Sequence, residues 1–124
     1  MNQQNKITGE IIDAAMKVHS FLGPGLLESA YEACLVYELK KRNLNVQSQV
    51  QLPVVYDEIK VNAGYRIDLL VNRMVIVELK AVESIIPLYE AQLLSYLKLS
   101  GKQVGLLINF NVVQLKNGIK RMVN

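Results

Sequence analysis

The sequence predicts an α/β (α+β) fold, a mixed central sheet with helices on its faces, and three observations carry that reading. Apolar residues recur at helical spacing through the first third of the chain. At Val46 the spacing changes to the two-residue period of strands. Helix-breaking residues fall at the junctions, at Gly23-Pro24-Gly25 and again at Pro87 and Gly101. The 124 residues, 51% hydrophobic and 20% charged, have the composition of one compact domain spanning residues 1–124. A chain of this length buries roughly two thirds of the surface its unfolded form exposes, enough for a real core.

Each element has its own justification. Thr8 is placed to cap a first helix, with Glu10 in its first turn and Ile11, Ile12, Ala15, Val18 and Leu22 along its apolar face. A second helix is expected from about Leu26 to Arg42. Leu27, Tyr31, Cys34 and Leu35 face inward, and Lys40-Lys41-Arg42 sit at the end where the dipole favours cations. Val46, Val50, Leu52 and Val54 share one side of an extended strand, and Pro53 marks a sheet edge or a bulge. Tyr65–Val71 and Met74–Ala81 read as two strands joined by a turn near Asn72-Arg73. Pro87 suits the first turn of a third helix, and Gly101 suits the residue just past its end. Gln103–Asn109 is a short apolar strand. Asn117-Gly118, between Val112–Leu115 and Ile119–Val123, predicts a type I′ hairpin.

The composition also excludes several classes. With 7 Gly, 3 Pro and one cysteine, the chain is neither a collagen-like repeat, a long disordered protein nor a disulfide scaffold. A lone Cys34, read as a small core residue, fits a reducing cytoplasm. No apolar run approaches the ~18 residues of a membrane span. The polar start Met1-Asn2-Gln3-Gln4-Asn5-Lys6 is no signal peptide. A cytoplasmic protein away from membranes is the expectation. The net charge is +3, and no acidic residue follows Glu90, whereas Lys98, Lys102, Lys116, Lys120 and Arg121 do. Such a basic stretch either faces a polyanion such as nucleic acid or is an ordinary solvated surface.

The chemistry lies in the two central strands. Ile67, Leu69, Leu70 and Val71, and Met74, Val75, Ile76, Val77 and Leu79, leave no polar face, as in strands covered on both sides. Asp68, Glu78 and Lys80 are nevertheless embedded in them. Charges so placed need a partner or a metal. Two carboxylates offer hard oxygen ligands to Mg²⁺. A metal there lowers the pKa of water and neutralises charge on a phosphate. Lys80, two residues after Glu78, points to the same face and is placed to orient water or stabilise the transition state. The alternative is a structural ion pair of Lys80 with Glu78 or Asp68. Glu28 and Tyr31 share a face of the second helix, and Gln92 and Tyr96 share a face of the third.

In this order the motifs are similar to those of a known group. The segment Gly25-x-x-Glu28-x-x-Tyr31, within Val18-His19 … Leu22-Gly23-Pro24-Gly25-Leu26-Leu27-Glu28, resembles the signature of the GxxExxY family of the PD-(D/E)XK nuclease superfamily. Ile67-Asp68-Leu69-Leu70-Val71 resembles the superfamily's aspartate motif, with Ile67 where a proline is expected. Val77-Glu78-Leu79-Lys80 resembles its E-x-K motif, and Gln92-Leu93-Leu94-Ser95-Tyr96 the Q-x-x-x-Y motif of its RecB-like nucleases. The resemblance covers about Ile7 to Val123. It implies a nuclease-like sheet flanked by helices, a Mg²⁺ or Mn²⁺ cofactor, and DNA or RNA as partner. Asp68 and Glu78 would hold the metal, with Glu28 completing the shell. Lys80 would be catalytic, and Gln92 would position it, the water or the phosphate. His19, Tyr31 and Tyr96 are accessory candidates. His19 either contacts a phosphate or packs near the Gly-Pro-Gly turn, and the tyrosines either touch the site or fill the core. With so short a chain, a homodimer or a partner protein would supply specificity. A non-catalytic nucleic-acid-binding or protein-interaction module with the same fold is the rival reading.

This reading makes a demand on register. A two-residue turn at Asn72-Arg73 pairs Asp68 with Val77 and sends Glu78 to the opposite face. A three-residue turn, Asn72-Arg73-Met74, or a bulge pairs Asp68 with Glu78. A metal site needs the second arrangement, and crowded carboxylates there should raise the pKa of at least one.

Overall fold

In the computed structural model, which describes residues 2–124, the first helix, α1, runs Asn2–Leu22. It starts earlier than Thr8. That residue lies inside the helix, its Oγ1 donating to the Asn5 carbonyl at 3.0 Å. Glu10 is therefore not in the first turn; it pairs instead with Arg42 at 3.1 Å. Burial of Ile7 and Ile11 against the sheet favours helix here more than a local cap favours a start. Helix α2, Glu28–Lys41, buries Tyr31, Leu35 and Leu39, while Leu27 precedes it and is exposed.

Seven strands follow the two helices, with one further helix between them. They are β1 (Val46–Gln51), β2 (Val54–Tyr56), β3 (Ile59–Val61), β4 (Arg66–Val71), β5 (Val75–Lys80), β6 (Val104–Asn109) and β7 (Ile119–Val123). Helix α3, Pro87–Ser100, lies between β5 and β6 and ends at Gly101, whose φ of 74° is left-handed as a helix terminator requires. The main sheet has the order β1-β4-β5-β6-β7. Only β5 and β6 pair in parallel, because α3 carries the chain back across the sheet between them. Every residue of β6 is buried, as is every residue of β5 but Lys80. Helices α1 and α2 cover one face around Leu69, Val77, Leu79 and Phe110. Helix α3 covers the other around Ile67, Ile76, Leu93 and Tyr96.

Two expectations are corrected. The strand beginning at Val46 does not run through Val54. It stops at Gln51, and β2 and β3 form a separate two-stranded hairpin. Pro53 has no N–H to continue a ladder. The type I′ hairpin at Asn117-Gly118 is absent. Leu115–Gly118 is a 3₁₀ turn, and β7 pairs antiparallel with β6. Gly118 serves close approach: a Cβ there would collide with the Asn109 carbonyl.

The alternation of faces also fails at one level of the sheet. On β1, Val46 packs with the α1–α2 cluster but Val50 with the α3 cluster. On β4, Leu69 packs with the first cluster and Ile67 with the second. Even spacing would keep each pair on one face. The switch falls at Gln49, whose φ is 54°, and at Asp68. The candidate site is built there.

Candidate active site

Asp68 and Glu78 come together through the turn. The β4–β5 ladder runs Val71↔Val75, Leu70↔Ile76 and Leu69↔Val77. That register leaves Asn72-Arg73-Met74 as a three-residue turn and sets Asp68 opposite Glu78. Asn72 and Arg73 have φ of 50° and 54°, and Met74 N–H closes the turn on Val71 O at 3.0 Å. Asn72 also ties the turn to the segment before β1. Its Oδ1 accepts from Asn45 N–H at 2.8 Å, and its own N–H donates to Asn45 O at 2.8 Å.

Beyond Leu69 and Val77, side chains take over from the ladder. The Asp68 N–H donates to Glu78 Oε2 at 2.8 Å, and the Leu79 N–H donates to Asp68 Oδ2 at 2.9 Å. Each carboxylate thus satisfies a backbone amide of the opposite strand and wedges the strands apart. Strand β5 stays attached to β6 as far as Lys80↔Asn109. Past Lys80 the chain is held by Asn109, which donates from Nδ2 to Val82 O at 2.9 Å and accepts from Val82 N–H at 3.0 Å.

The electrostatics follow from this packing. Glu78 is only 5% exposed. Its carboxyl is pushed up to about 8, first by burial and then by the Asp68 charge, against smaller lowering effects of the Asp68 N–H and Lys80. Glu28, at the start of α2, is also raised, by partial desolvation and then by Asp68, while Lys80 lowers it. Its residue is exposed, so the desolvation is partial. Tyr96 is raised by desolvation and by the charges of Glu78 and Asp68. Tyr96 is therefore beside the carboxylates as well as part of the α3 core.

Among the described residues Lys80 forms no ion pair with Asp68 or Glu78; the three ion pairs join Lys17 to Glu38 and Arg42 to Glu10 and Asp13. The Lys80 Nζ lies 4.5 Å from the centre of the Tyr89 ring instead. Gln92 is half-buried on α3. It falls three residues after Tyr89, whose ring lies by the Lys80 ammonium, and four before Tyr96, so its position shares their side of α3.

His19 and Tyr31 are not brought to the carboxylates. The His19 Nε2 is 2.8 Å from Val112 O, in a nearly buried position near Phe110. Tyr31 is fully buried and stacks on Phe110 with ring centres 4.5 Å apart. Its hydroxyl donates to Gly23 O at 2.6 Å and accepts from Leu26 N–H at 3.1 Å. The residues of the Gly25-x-x-Glu28-x-x-Tyr31 segment divide the work. Gly25, at φ 97°, makes the turn, Tyr31 clamps it, and Glu28 opens the helix that follows. Cys34 is half-buried and lines a cavity of about 640 Å³ between α1 and α2, away from the carboxylates.

Sequence reasoning missed Glu32, Gln49, Tyr89 and Asn109. The signal for Glu32 was available, since it follows Glu28 by one helical turn. Gln49 Nε2 is 3.1 Å from Glu32 Oε1 and 3.4 Å from Asp68 Oδ1. A polar residue on an edge strand gives no sign of this.

A divalent ion sets requirements that this donor set can be compared with. Among the described residues no three His, Cys, Asp or Glu side chains form a metal-binding cluster. Mg²⁺ needs only one or two carboxylates, because it keeps waters and takes substrate oxygens. Asp68 and Glu78 fit that mode. Each spends one oxygen on a backbone amide, leaving Glu78 Oε1 without a hydrogen bond among the described residues and Asp68 Oδ1 with one long contact.

A family model for the PD-(D/E)XK nuclease superfamily matches residues 5–122. The chain belongs to that superfamily. The sheet flanked by helices is consistent with its fold, and membership points to nuclease activity, nucleic acid as substrate and the divalent metal ions these nucleases generally use. No match is found among curated proteins or among solved structures. No helix of the described residues is long and apolar enough to cross a membrane.

Proposed function

We propose that this chain is a Mg²⁺- or Mn²⁺-dependent nuclease of the GxxExxY type, acting as one domain in the cytoplasm on phosphodiester bonds of DNA or RNA. The observation that carries the reading is the Asp68–Glu78 pair. Two carboxylates lie between the strands, Glu78 with Oε1 free of hydrogen bonds among the described residues and Asp68 with Oδ1 engaged only by a long contact from Gln49, and Lys80 is not consumed as their ion-pair partner.

Asp68 and Glu78 would hold the ion, with Glu28 completing the shell through water, since the three acids form no direct cluster among the described residues. A divalent ion bound there supplies Lewis acidity and makes water a better nucleophile near neutral pH. Lys80, its ammonium held over Tyr89 rather than buried against a carboxylate, donates to a phosphate oxygen or to the attacking water. Gln92 orients that water or the phosphate from α3.

The test is cleavage of a panel of single- and double-stranded DNAs and RNAs by purified protein with Mg²⁺, Mn²⁺ or EDTA, beside Lys80→Ala. Metal-dependent cleavage lost in Lys80→Ala is expected. Nucleic-acid binding without cleavage in either metal would favour the non-catalytic module.

A further inference from the structure

Gln49 stands out in the fold. It is a non-glycine residue inside a strand, yet its φ is 54°, the left-handed region. L-residues pay for that conformation through contact of Cβ with the following carbonyl. Such outliers persist only where surrounding structure enforces them, and they cluster at functional sites. Here the outlier sits opposite Asp68: Ser48 pairs with Leu69 and Val50 with Ile67 on either side. It is also the level at which β1 and β4 exchange faces.

The side chain shows what the strain achieves. The Gln49 Nε2 lies 3.1 and 3.3 Å from the two Glu32 oxygens and 3.4 Å from Asp68 Oδ1. An amide nitrogen carries two N–H donors. One serves Glu32 and the other reaches towards Asp68, so a neutral donor separates two carboxylates that would otherwise repel. Asp68 then has a partner at each oxygen, Leu79 N–H at 2.9 Å on Oδ2 and the exposed Gln49 amide at 3.4 Å on Oδ1. Such partners orient a ligand when the ion arrives or leaves, the role of the groups that surround metal ligands generally.

We infer that Gln49 is a positioning residue of the active site, its left-handed backbone serving to hold the Asp68 carboxylate in its metal-binding orientation and to separate it from Glu32. This rests on the proposed role of Asp68 as a metal ligand, and it goes further by assigning work to a residue outside the superfamily-like motifs.

Two substitutions separate the backbone from the side chain. Gln49→Gly relieves the left-handed strain and removes the amide. Gln49→Met keeps the strain and approximates the length of the side chain while removing its donors. Both, with wild type, are compared in metal-free melting temperature, in the Mg²⁺ and Mn²⁺ concentrations that half-saturate the melting-temperature rise, and in kcat and KM on a substrate wild type cleaves. The metal-free melting temperature of Gln49→Gly should exceed that of Gln49→Met. Both variants should need roughly 10–100-fold more metal for the same rise, and any kcat should fall with KM nearly unchanged. A merely structural Gln49 would change metal-free stability alone. Metal responses in both variants equal to a clear wild-type response would overturn the inference while leaving the nuclease reading standing. A wild type whose melting temperature ignores metal would remove both together.

Discussion

The backbone N–H of Asp68 donates to the carboxylate of Glu78, and the carboxylate of Asp68 accepts from the N–H that follows Glu78. The two acids stand opposite each other just past the last paired rung, Leu69↔Val77. The arrangement replaces one rung of a β-ladder with two charge-bearing side chains. This is why they stay close although they repel.

A pH dependence follows. The Glu78 carboxyl rises from an ordinary 4.5 to about 8 in the fold, chiefly through burial. A carboxyl with a raised folded-state value binds its proton more tightly folded than unfolded, so its contribution to stability falls as pH climbs from about 4.5 to about 8. Urea unfolding of metal-free wild type and Glu78→Gln at pH 5 and pH 8 checks this. Wild type should lose stability relative to the variant at the higher pH. Identical pH dependence of the two proteins would contradict the assignment.

Tyr31 acts on Glu28 through the turn it clamps. Tyr31→Phe keeps the stack on Phe110 but leaves Gly23 O and Leu26 N–H to water. A stability loss of about 1 kcal/mol is expected from chemical denaturation. Cleavage should fall as well, because the start of α2 loosens. A variant with full stability and full activity would show that the clamp is dispensable.

Lys80 and Asp68 should fail differently. Lys80→Met removes the ammonium above Tyr89 but no metal ligand, so metal-induced stabilisation should persist while cleavage disappears. Tyr89→Leu should weaken cleavage and cost about 0.5–1 kcal/mol, with Tyr89→Phe retaining most of both. Loss of the metal response in Lys80→Met would mean that the lysine organises the carboxylates and is no separate catalytic group.

Much of the site was legible because charges inside apolar strands demand an explanation. Asp68, Glu78 and Lys80 stood out by their neighbours, whereas Glu28 and Gln92 entered the candidate site through the resemblance of their motifs to the nuclease superfamily. The register was legible as a requirement only. Nothing in Asn72-Arg73-Met74 states that three residues form the turn; consecutive left-handed conformations at Asn72 and Arg73 decide it. The face switch was not legible at all. Val46 and Val50 look like one apolar face, and the left-handed Gln49 between them sends them to opposite cores. The Asn117-Gly118 pair misled because its glycine answers to a tertiary contact with the Asn109 carbonyl, which no local pattern encodes. Thr8 misled because burial of Ile7 extends the helix past a good cap.

Whether Asp68 and Glu78 form a divalent-ion site is tested most directly by thermal melts of wild type and Asp68→Asn, with and without millimolar Mg²⁺ or Mn²⁺. An asparagine oxygen still accepts from Leu79 N–H, and losing the Asp68 charge relieves Glu78. The metal-free variant should therefore melt at or above the wild-type temperature. Wild type should gain stability with metal in proportion to occupancy, and the variant should gain little or none. A wild-type melting temperature indifferent to metal, together with a clearly destabilised Asp68→Asn, would contradict the account and make the pair a structural device alone.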